Sequence, residues 1–556
     1  MKRILALCLA AALVLPACVK VDSSLGQGLI DKSLLYDTYT AEFTLDQIRM
    51  RCADSLSGYS DSRLCIGAIR DQKFGLTTRE AAFSLIPALD TINLGTNPKP
   101  VSFSIRFAAD TVSCASDADA RILQNFYVTS LTAPLPETDT RISGNEKVIH
   151  GADLVTEGLP VYNGKGDLLF SFTESYAQQY IDAIRDLGPV LKDRITENGT
   201  DRYKEFVQRL PGIHIRSGLP EGDGGRINLF QLSCLSVSNN YYYRNNNVAL
   251  LKVHSVWGGV EKDSTFLFVP GEPSFVDEAE NLTNNTKFYQ YCFNQANHET
   301  VDMPATAELL VEGGGGLKPV IPASELRQKT LQAIQSHGGT AENALILKAS
   351  LILPFEKPAN YEDFKYYPSM LSPTICRYTK AKDSDNNEFF YHAYAGLTDA
   401  SVSTENQGEI DRSNLRYAPD FSYHLQQILP RTDLDTKPDA DIWLLAIHTE
   451  QVANANGSLY DSEYYQNLLY ASYYNSLYGG GYGYGGYGYG SSYGYGSSYS
   501  NYYSYMLLAQ MMAASSEQSY TTTSELDKDR YYRAVLNGIS SANPPRVEVT
   551  FAVPKP

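Results

Sequence analysis

Apolar and polar residues alternate along several segments of the chain, a pattern typical of β-strands that bury one face of an antiparallel sheet. The segments are "VSFSIRF", with Val101, Phe103, Ile105 and Phe107 on one face; "GIHIRS", with Ile213 and Ile215; "STFLFV", with Phe266 and Phe268; and "RVEVTFAV", with Val547, Val549, Phe551 and Val553. Two further segments, "ALILKASLIL" and "DIWLLAIHT", are almost continuously apolar and predict central strands. Turn-forming segments such as "GTNPKP" and "PEGDGG" separate the strands.

Helical periodicity is confined to a few segments. The segment "SFTESYAQQYIDAIRDLG" begins with the capping-box pair Ser171 and Glu174 and stops at Gly188-Pro189. Its apolar stripe consists of Tyr176, Tyr180, Ile184 and Leu187. A second short helix is predicted from Thr200 to Leu210, and "ASELRQKTLQAIQSHGG" predicts a third helix that ends at Gly338.

Strands outnumber helices and do not alternate with them, so the sequence predicts a mainly β fold rather than a parallel α/β sheet. A chain of 556 residues exceeds the usual size of one domain, roughly 100–200 residues. We therefore expect two tandem antiparallel β-sandwich domains of jelly-roll-like form. The first is expected at 37–270, with a helical insertion near 171–210, and the second at 271–556.

A tyrosine- and glycine-rich tract, "YGGGYGYGGYGYGSSYGYGSSYSNYYSY", runs from Tyr478 to Tyr505, and the wider segment from Tyr464 to Ser516 has no Asp, Glu, Lys or Arg. Glycine at nearly every second position suits neither a packed strand nor an amphipathic helix. We expect a disordered insertion near 456–525, between the last two strands of the second sandwich, with "WLLAIHT" and "RVEVTFAV" pairing on either side. An adhesive role and neutral repeat expansion both stay open.

The first residues, "MKRILALCLAAALVLPAC", have the form of a signal peptide, with a basic start and an apolar segment of about a dozen residues. The segment ends in Leu15-Pro16-Ala17-Cys18, which resembles the lipobox of bacterial lipoproteins. The resemblance implies a signal peptide at 1–17, lipidation of Cys18 and a lipidated tether at 18–36. An ordinary secretory signal with an incidental cysteine is the alternative.

The residue after the cysteine is Val19 rather than aspartate, which by the same resemblance favours the outer membrane over the inner one. Whether the protein faces the periplasm or the cell surface is left open. The formal net charge is −17, and no cluster of Lys and Arg occurs. Nucleic acid is therefore not expected as a partner, because binding to phosphates needs a basic surface.

Six cysteines follow Cys18 in the chain: Cys52, Cys65, Cys114, Cys234, Cys292 and Cys376. Only Cys52 and Cys65 are close in sequence, with the turn-like "ADSLSGYSDSR" between them. A hairpin disulfide there and buried free thiols are the two interpretations. No Cys or His spacing matches a zinc site.

Catalytic motifs are absent from the sequence. The eight histidines form no HExxH, and no GxSxG occurs outside the Tyr/Gly tract, where the repeats produce Gly490-Ser491-Ser492-Tyr493-Gly494. His214 is interpreted as structural, and "GGGGLK" at Gly313 to Lys318 lacks the end of a phosphate-binding loop. "DSDNN" at Asp383 to Asn387 begins like a calcium loop but continues with Glu388 in place of glycine. We predict no catalytic, metal or cofactor-binding residues, and lipidation of Cys18 as the one modified site.

One stretch carries a more specific resemblance. In "LCIGAIRDQKFGLTTREAAFSLIP" the residues that form the motif are Gly67, Ile69, Asp71, Phe74, Gly75 and Thr77. With "RLPGIHIRSG", "LLVEGGGGLKPVIP", "ALILKASLILP" and "RAVLNGISSANPPRVEVTF", the chain resembles the DUF4270 family of Bacteroidota outer-membrane lipoproteins. That family is defined by sequence and has no agreed biochemical activity, so the resemblance implies a location and no catalytic residues.

Tyrosine dominates the aromatic residues, with 41 tyrosines against two tryptophans. Tyrosine is enriched at protein interfaces. The predicted anchor, the sandwich pattern and the missing catalytic motifs together favour a non-enzymatic interaction or scaffold subunit of a cell-envelope assembly, held to the membrane by its lipid and bound to an outer-membrane protein. A surface lipoprotein that binds a glycan or another polymer is one alternative, with polysaccharide as its partner. A hydrolase whose carboxylates meet only in the folded chain is the other.

Overall fold

The structure is a computed structural model of the chain. It describes residues 35–60, 63–88, 92–136, 144, 146–188, 201–232, 235–238, 241–244, 247–274, 287–289, 291–300, 302–382, 388–399, 408–453, 520–527 and 529–555. The predicted signal peptide, Cys18 and most of the tether lie outside these residues, as do the segment 383–387 and the Tyr/Gly tract.

The first strands in chain order are β1 Tyr36–Thr44, β2 Arg49–Cys52, β3 Tyr59–Ser60, β4 Arg63–Asp71, β5 Gly75–Phe83, β6 Leu85–Pro87, β7 Thr96–Phe107, β8 Ala109–Cys114, β9 Gln124–Leu131, β10 His150–Leu154, β11 Val161–Tyr162, β12 Leu168–Ser171, β13 Ile213–Ser217, β14 Gly224–Gln231, β15 Leu235–Ser238, β16 Tyr241–Arg244, β17 Ala249–Trp257, β18 Val260–Pro270, β19 Glu272–Ser274 and β20 Lys287–Tyr289.

The remaining strands are β21 Cys292–His298, β22 Asp302–Pro304, β23 Glu308–Glu312, β24 Leu317–Ile321, β25 Leu345–Pro354, β26 Met370–Lys382, β27 Glu388–Gly396, β28 Ile410–Asp411, β29 Arg416–Tyr417, β30 Ile442–Ala453, β31 Tyr520–Leu526, β32 Arg533–Asn537 and β33 Arg546–Pro554. The described α-helices are α1 Glu174–Leu187, α2 Arg202–Arg209, α3 Ala323–Ser336 and α4 Ser422–Ile428. The prediction of a mainly β fold with antiparallel sheets and a few short helices is confirmed.

The first core lies between two sheets. One has the strand order β10-β9-β13-β5-β4-β14-β8, with β11 beside β9 and with β21 beside β5 and β3. The other has the order β12-β7-β17-β18-β6. Phe83 and Phe126 from the first sheet and Phe103 and Phe268 from the second belong to one buried cluster. The predicted alternation in β7 holds at its end, where Phe103, Ile105 and Phe107 are buried while Val101 is half exposed.

Helices α1 and α2 cover this core through their apolar faces, as the sequence stripe of α1 predicts. Tyr176, Tyr180 and Ile184 of α1 are buried, and Phe206 of α2 packs in the same cluster. The predicted capping residue is wrong. Ser171 ends β12, and the side chain of Thr173 instead accepts a hydrogen bond from the backbone N–H of Tyr176 at 3.2 Å.

The second core is also built between sheets. One has the order β22-β2-β24-β30-β26-β27, with β31 beside β30, and another has the order β1-β33-β25-β29-β28. Leu444 of β30 and Phe551 of β33 share one buried cluster, which also contains Leu326 of α3 and Leu425 of α4. Strand β30 pairs with β24, β26 and β31, which fits its prediction as a central strand.

Strand pairing crosses residue 270 in both directions. Strands β1 and β2 come first in the sequence, yet β1 pairs with β33 and β2 pairs with β24 of the second core. Strand β21 follows residue 270, yet it pairs with β5 of the first core. A cut at residue 270 therefore does not separate the strands of the two cores, because strands that are far apart in the chain pair with each other.

The Tyr/Gly tract is connected at both ends to a paired hairpin. Strand β30 pairs antiparallel with β31, and Ala453 lies opposite Tyr520. The predicted insertion therefore extends too far, since residues 520–525 form most of β31. Two predictions about its neighbours are also wrong: two strands, β32 and β33, follow β31, and β33 pairs with β1 and β25 rather than with β30.

Candidate functional site

A cluster of buried charged side chains lies where the two cores meet. Thr77 and Arg79 project from one face of β5, because side chains alternate along a strand, and His298 of β21 stands opposite Thr77 in register. Glu312, at the end of β23, faces them from the second core. Lys318, at the start of β24, completes the cluster. Such a concentration of buried charge is uncommon unless the groups are paired.

Glu312 is the centre of the cluster and is fully buried. Its carboxylate accepts hydrogen bonds from the Thr77 hydroxyl, from Nδ1 of His298 at 2.9 Å and from the backbone N–H of Leu317 at 3.3 Å. Burial raises the pKa of the Glu312 carboxyl, but His298, Thr77 and Lys318 outweigh it and hold the pKa below its ordinary value. Glu312 is therefore an anion inside the protein.

The hydrogen bonds of His298 fix its protonation. Nδ1 faces a carboxylate, which can only accept, so Nδ1 carries a proton. Nε2 lies 3.2 Å from Nη1 of Arg79, which can only donate, so Nε2 is the acceptor. Burial lowers the pKa of His298 below its ordinary value, against the opposing effect of the Glu312 charge. The imidazole is therefore neutral and links a cation to an anion.

Lys318 is the second buried cation of the cluster. Its Nζ donates to the backbone carbonyl of Glu312 and to that of Gly316 at 3.3 Å. Burial lowers the pKa of Lys318 from 10.5 to about 8, although the Glu312 charge acts in the opposite direction. Lys318 thus stays protonated at neutral pH.

The four glycines of "VEGGGGLKP" allow the turn between β23 and β24 to close around this charge. A side chain at Gly316 would collide with the Glu312 carboxylate, and one at Gly313 would collide with the backbone of Arg530 and Tyr532. Gly314 has a φ of 54°, a left-handed conformation that favours glycine. Close packing at Gly313 and Gly316 and the backbone conformation of Gly314 therefore account for three of the four glycines.

Arg79 is 2% exposed, and its guanidinium is only partly satisfied. Nη1 lies 3.3 Å from the carbonyl of Thr78 in addition to its contact with His298, and Nη2 lies 3.3 Å from the carbonyl of Gly313. Nε has no hydrogen-bond partner among the described residues, and none of their carboxylates forms an ion pair with Arg79. A buried guanidinium without a direct ion pair is costly.

A small cleft that is partly open to solvent lies beside Arg79. Most of its walls are small residues: Ala53, Gly58, Gly144, Ala296 and Gly315. Ser57, Asn294 and Asp529 add polar groups. Asn294 accepts a hydrogen bond from the backbone N–H of Cys65 at 3.0 Å, and burial together with the nearby Asp529 charge raises the pKa of the Cys65 thiol.

Sequence reasoning missed every charged member of this cluster, and it examined "GGGGLK" only as a phosphate-binding loop. One signal was present: Thr77 and Arg79 lie two positions apart in "GLTTREAAF", and therefore on one face of a strand. The sequence does not indicate that Glu312 meets them, because 235 residues separate Thr77 from Glu312.

His214, interpreted from the sequence as structural, lies in a separate buried pair. Its Nε2 lies 2.9 Å from Oε2 of Glu80, and its ring stacks on His150 with centroids 4.1 Å apart. Burial lowers the pKa of His214, while Glu80 acts in the opposite direction. Among the residues that the structure describes, no group of three or more His, Cys, Asp or Glu side chains is arranged to hold a metal ion.

Cys52, Cys65, Cys114 and Cys376 carry free thiols. The predicted hairpin disulfide between Cys52 and Cys65 is therefore wrong, and the alternative of buried thiols is correct for this pair. Burial, aided by the nearby Glu312 charge, raises the pKa of Cys52 to about 12, which keeps its thiol protonated.

A second feature is an aromatic ribbon, formed by residues 376–382 of β26 and all of β27. Residues 370–375 of β26 pair with β30, but 376–382 pair with β27 alone, so this part extends beyond the sheet. Tyr378 and Phe390 are 65% and 52% exposed, and their rings stack with centroids 5.2 Å apart. At the base of the ribbon, Tyr394 packs edge-on against Trp443 at 5.3 Å.

Compared with known proteins, the chain matches no family model, no curated protein and no solved structure. The resemblance to the DUF4270 family therefore stays a prediction from the sequence. No α-helix within the described part of the chain is long and apolar enough to cross a bilayer.

Proposed function

We propose that this protein is a lipid-anchored outer-membrane protein that serves as a non-enzymatic interaction or scaffold subunit of a cell-envelope assembly. The surface that would carry this function is the aromatic ribbon. The partner we propose is an integral outer-membrane protein with an apolar face exposed to the ribbon.

The ribbon supports this proposal because two of its aromatic side chains, Tyr378 and Phe390, are exposed on a strand pair that extends beyond its sheet. Tyr378 and His392 stand opposite each other on one face, and Phe389 and Tyr391 lie on the other face. Strand β27 ends the strand order of its sheet, and its outer edge pairs with no strand among the described residues. Exposed aromatic groups and open strand edges are both typical of protein-binding surfaces.

The predicted lipid anchor would place the protein at the membrane in which the proposed partner lies. A lipid on Cys18 would leave about 18 residues before β1 begins at Tyr36. A fully extended tether of that length spans roughly 60 Å at about 3.3–3.6 Å per residue. The folded part would therefore stay within reach of proteins embedded in the same membrane.

Site-specific photo-crosslinking in living cells tests the proposal. With benzoylphenylalanine at Phe390, we expect one main adduct whose second component is an integral outer-membrane protein by mass spectrometry. Tyr378→Ser in the same chain should reduce that adduct. The control position is Val260, which is 64% exposed and lies on β18, away from the ribbon.

Two outcomes would contradict the proposal. Equal adducts from positions 390 and 260 would mean that the ribbon is not a specific surface. A protein that elutes alone from mild detergent and binds a polysaccharide through Tyr378 and Phe390 would favour a polymer-binding lipoprotein instead. The anchor is tested separately: incorporation of a palmitate analogue should be lost in Cys18→Ala.

A further inference from the structure

The outer edge of β27 offers backbone hydrogen-bonding groups in addition to the exposed rings of the aromatic ribbon. We propose that the partner contributes an extended, uncharged segment that adds to this edge as a further strand, held by main-chain hydrogen bonds. The inference rests on the proposed scaffold function, because it concerns how the outer-membrane partner binds. It adds the chemistry of the contact, which is backbone pairing rather than contact between side chains alone.

The backbone groups that point outward from β27 follow from a hydrogen bond at its base. The N–H of Leu397 donates to the carbonyl of Pro373 at 3.1 Å, and this pair continues the register in which Gly396 stands opposite Thr374. Hydrogen-bonded and non-hydrogen-bonded pairs alternate along antiparallel strands. The odd-numbered residues of β27 therefore bond to β26, and the even-numbered residues direct their N–H and C=O groups away from it. These outward residues are Glu388, Phe390, His392, Tyr394 and Gly396.

The outward groups have no partner within the part of the chain that the structure describes. None of their backbone N–H or C=O groups forms a hydrogen bond with a described residue, and β26 is the strand with which β27 pairs. No residue of β27 is buried, and Glu388, Phe390, His392 and Gly396 are exposed. An added strand would therefore displace none of the described elements.

Most of the other strands that end the strand orders of the large sheets are protected against such pairing. Short strands, proline, charged side chains and bulges are the usual means of protection. Strand β28 has two residues, β12 has four, and β6 and β22 have three each and end in proline. The pairing of β10 and that of β8 shift in register. Strand β1 has nine residues, but Asp37 and Glu42 place charges along it.

Strand β27 lacks these protective features. Its nine residues, "EFFYHAYAG", include no proline, and they pair with β26 without a shift in register. Its one residue of the types Asp, Glu, Lys and Arg is Glu388, which lies at the first position and pairs with Lys380 at 2.6 Å. A long and regular edge of this kind is suited to pairing with another chain.

The side chains beside the edge indicate which segment fits there. Phe390 and His392 flank the edge on one face of the ribbon, and Phe389 and Tyr391 flank it on the other. Because Lys380 already pairs with Glu388, a charged segment would gain no new ion pair from β27. An uncharged segment with apolar side chains would pack beside aromatic rings on both faces. Phe390 is also an exposed ring of the ribbon, so the edge and that face form one continuous surface for the same partner.

Two substitutions at His392 in the full-length protein separate backbone pairing from side-chain contact. The readout is the adduct that benzoylphenylalanine at Phe390 forms in living cells. His392→Pro removes an outward N–H but keeps the bonds to β26, because an edge strand tolerates proline where its nitrogen faces outward. His392→Ala keeps the N–H and is the matched control. We expect the adduct to fall about tenfold in His392→Pro, which loses a backbone hydrogen bond to the partner, and to change less than about twofold in His392→Ala.

Hydrogen exchange gives a second measurement that does not depend on the folding of the proline variant. In the wild-type protein alone, the even-numbered amides of β27 should exchange rapidly and the odd-numbered amides slowly. In the complex with the outer-membrane protein, isolated in mild detergent, the even-numbered amides should become protected. Contact with the ring faces alone would not produce this alternation.

The outcomes distinguish strand addition from the scaffold function on which it rests. If both His392 variants keep the adduct, or if the even-numbered amides still exchange rapidly in the complex, strand addition is overturned and the scaffold proposal stands. An adduct that joins only two copies of this chain would also overturn it. No adduct in the wild type would contradict the scaffold proposal and strand addition together.

Discussion

Nδ1 of His298 donates a hydrogen bond of 2.9 Å to the carboxylate of Glu312, and both side chains are shielded from solvent. His298 lies on β21, which pairs with a sheet of the first core, and Glu312 ends β23, whose apolar residues belong to the second core. The bond therefore joins the two cores at a point where neither charge nor dipole is screened by water. Loss of this hydrogen bond should lower the stability of the whole fold.

Glu312→Gln is expected to be strongly destabilising. The substitution keeps the size of the side chain but removes the anion that faces Lys318, and it offers His298 a weaker acceptor. Removing one partner of a buried ionic group costs about 3–5 kcal/mol of the free energy of unfolding. Thermal and urea unfolding of the full-length protein measure the effect. Glu548→Gln on the exposed face of β33 is the control, for which we expect a change within about 0.5 kcal/mol; equal effects of the two variants would contradict the role of Glu312.

The stability of the protein should fall as the pH drops from 7 to 5. The folded protein holds His298 with a lowered pKa, so the unfolded chain, with a pKa near 6.5, binds the proton more readily. His214 and His424 also have lowered pKa values, mainly because they are buried, and they add to the fall. Glu312 stays ionised over this pH range, because its pKa lies below 4.5.

The contribution of His298 can be separated with His298→Gln. This side chain does not titrate, so the variant should be less stable than the wild type at pH 7 but should lose less in Tm between pH 7 and pH 5. The measurement is Tm against pH for both proteins in the same detergent. Parallel curves would mean that folding leaves the pKa of His298 unchanged, and a steeper loss in the variant would mean that His298 is charged in the folded protein.

Gly316→Ala is expected to destabilise the protein through overpacking. A methyl group at this position would collide with the Glu312 carboxylate, which cannot move without breaking its bonds to Thr77 and His298. Such strain typically costs about 1–3 kcal/mol. The matched control is Gly158→Ala, where nothing lies within 4 Å of the added atom. Similar Tm values for the two variants would show that the glycine turn tolerates a side chain.

The N-terminal strand should be required for the stability of the second core. Strand β1 pairs with β33 over its whole length, and Tyr39 and Phe43 pack against the second core. A chain that starts at residue 45 would expose the edge of β33, and a loss of about 2–3 kcal/mol would lower Tm by roughly 5–10 °C. A chain that starts at residue 35 is the control and should keep the Tm of the full-length protein. The same Tm for both truncated chains would show that β1 contributes nothing.

The sequence by itself determined that several segments are strands or helices and which of their apolar side chains are buried. The alternation in "GIHIRS" and "RVEVTFAV" predicted buried Ile213, Ile215, Val547 and Val549, and the stripe of α1 predicted buried Tyr176 and Tyr180. These features follow from local periodicity, because a strand or helix that buries one face must repeat its apolar residues with the period of its backbone.

Only the tertiary structure decided how the strands are paired and where charge is buried. The pairing of β1 with β33 and of β21 with β5 joins segments far apart in the chain, and local periodicity does not choose between such partners. The meeting of Arg79, His298 and Glu312 depends on these pairings. In the sequence, none of the three residues differs from an ordinary polar residue. A buried charge is stable only beside its partner, and that partner is brought close by the fold rather than by the sequence around it.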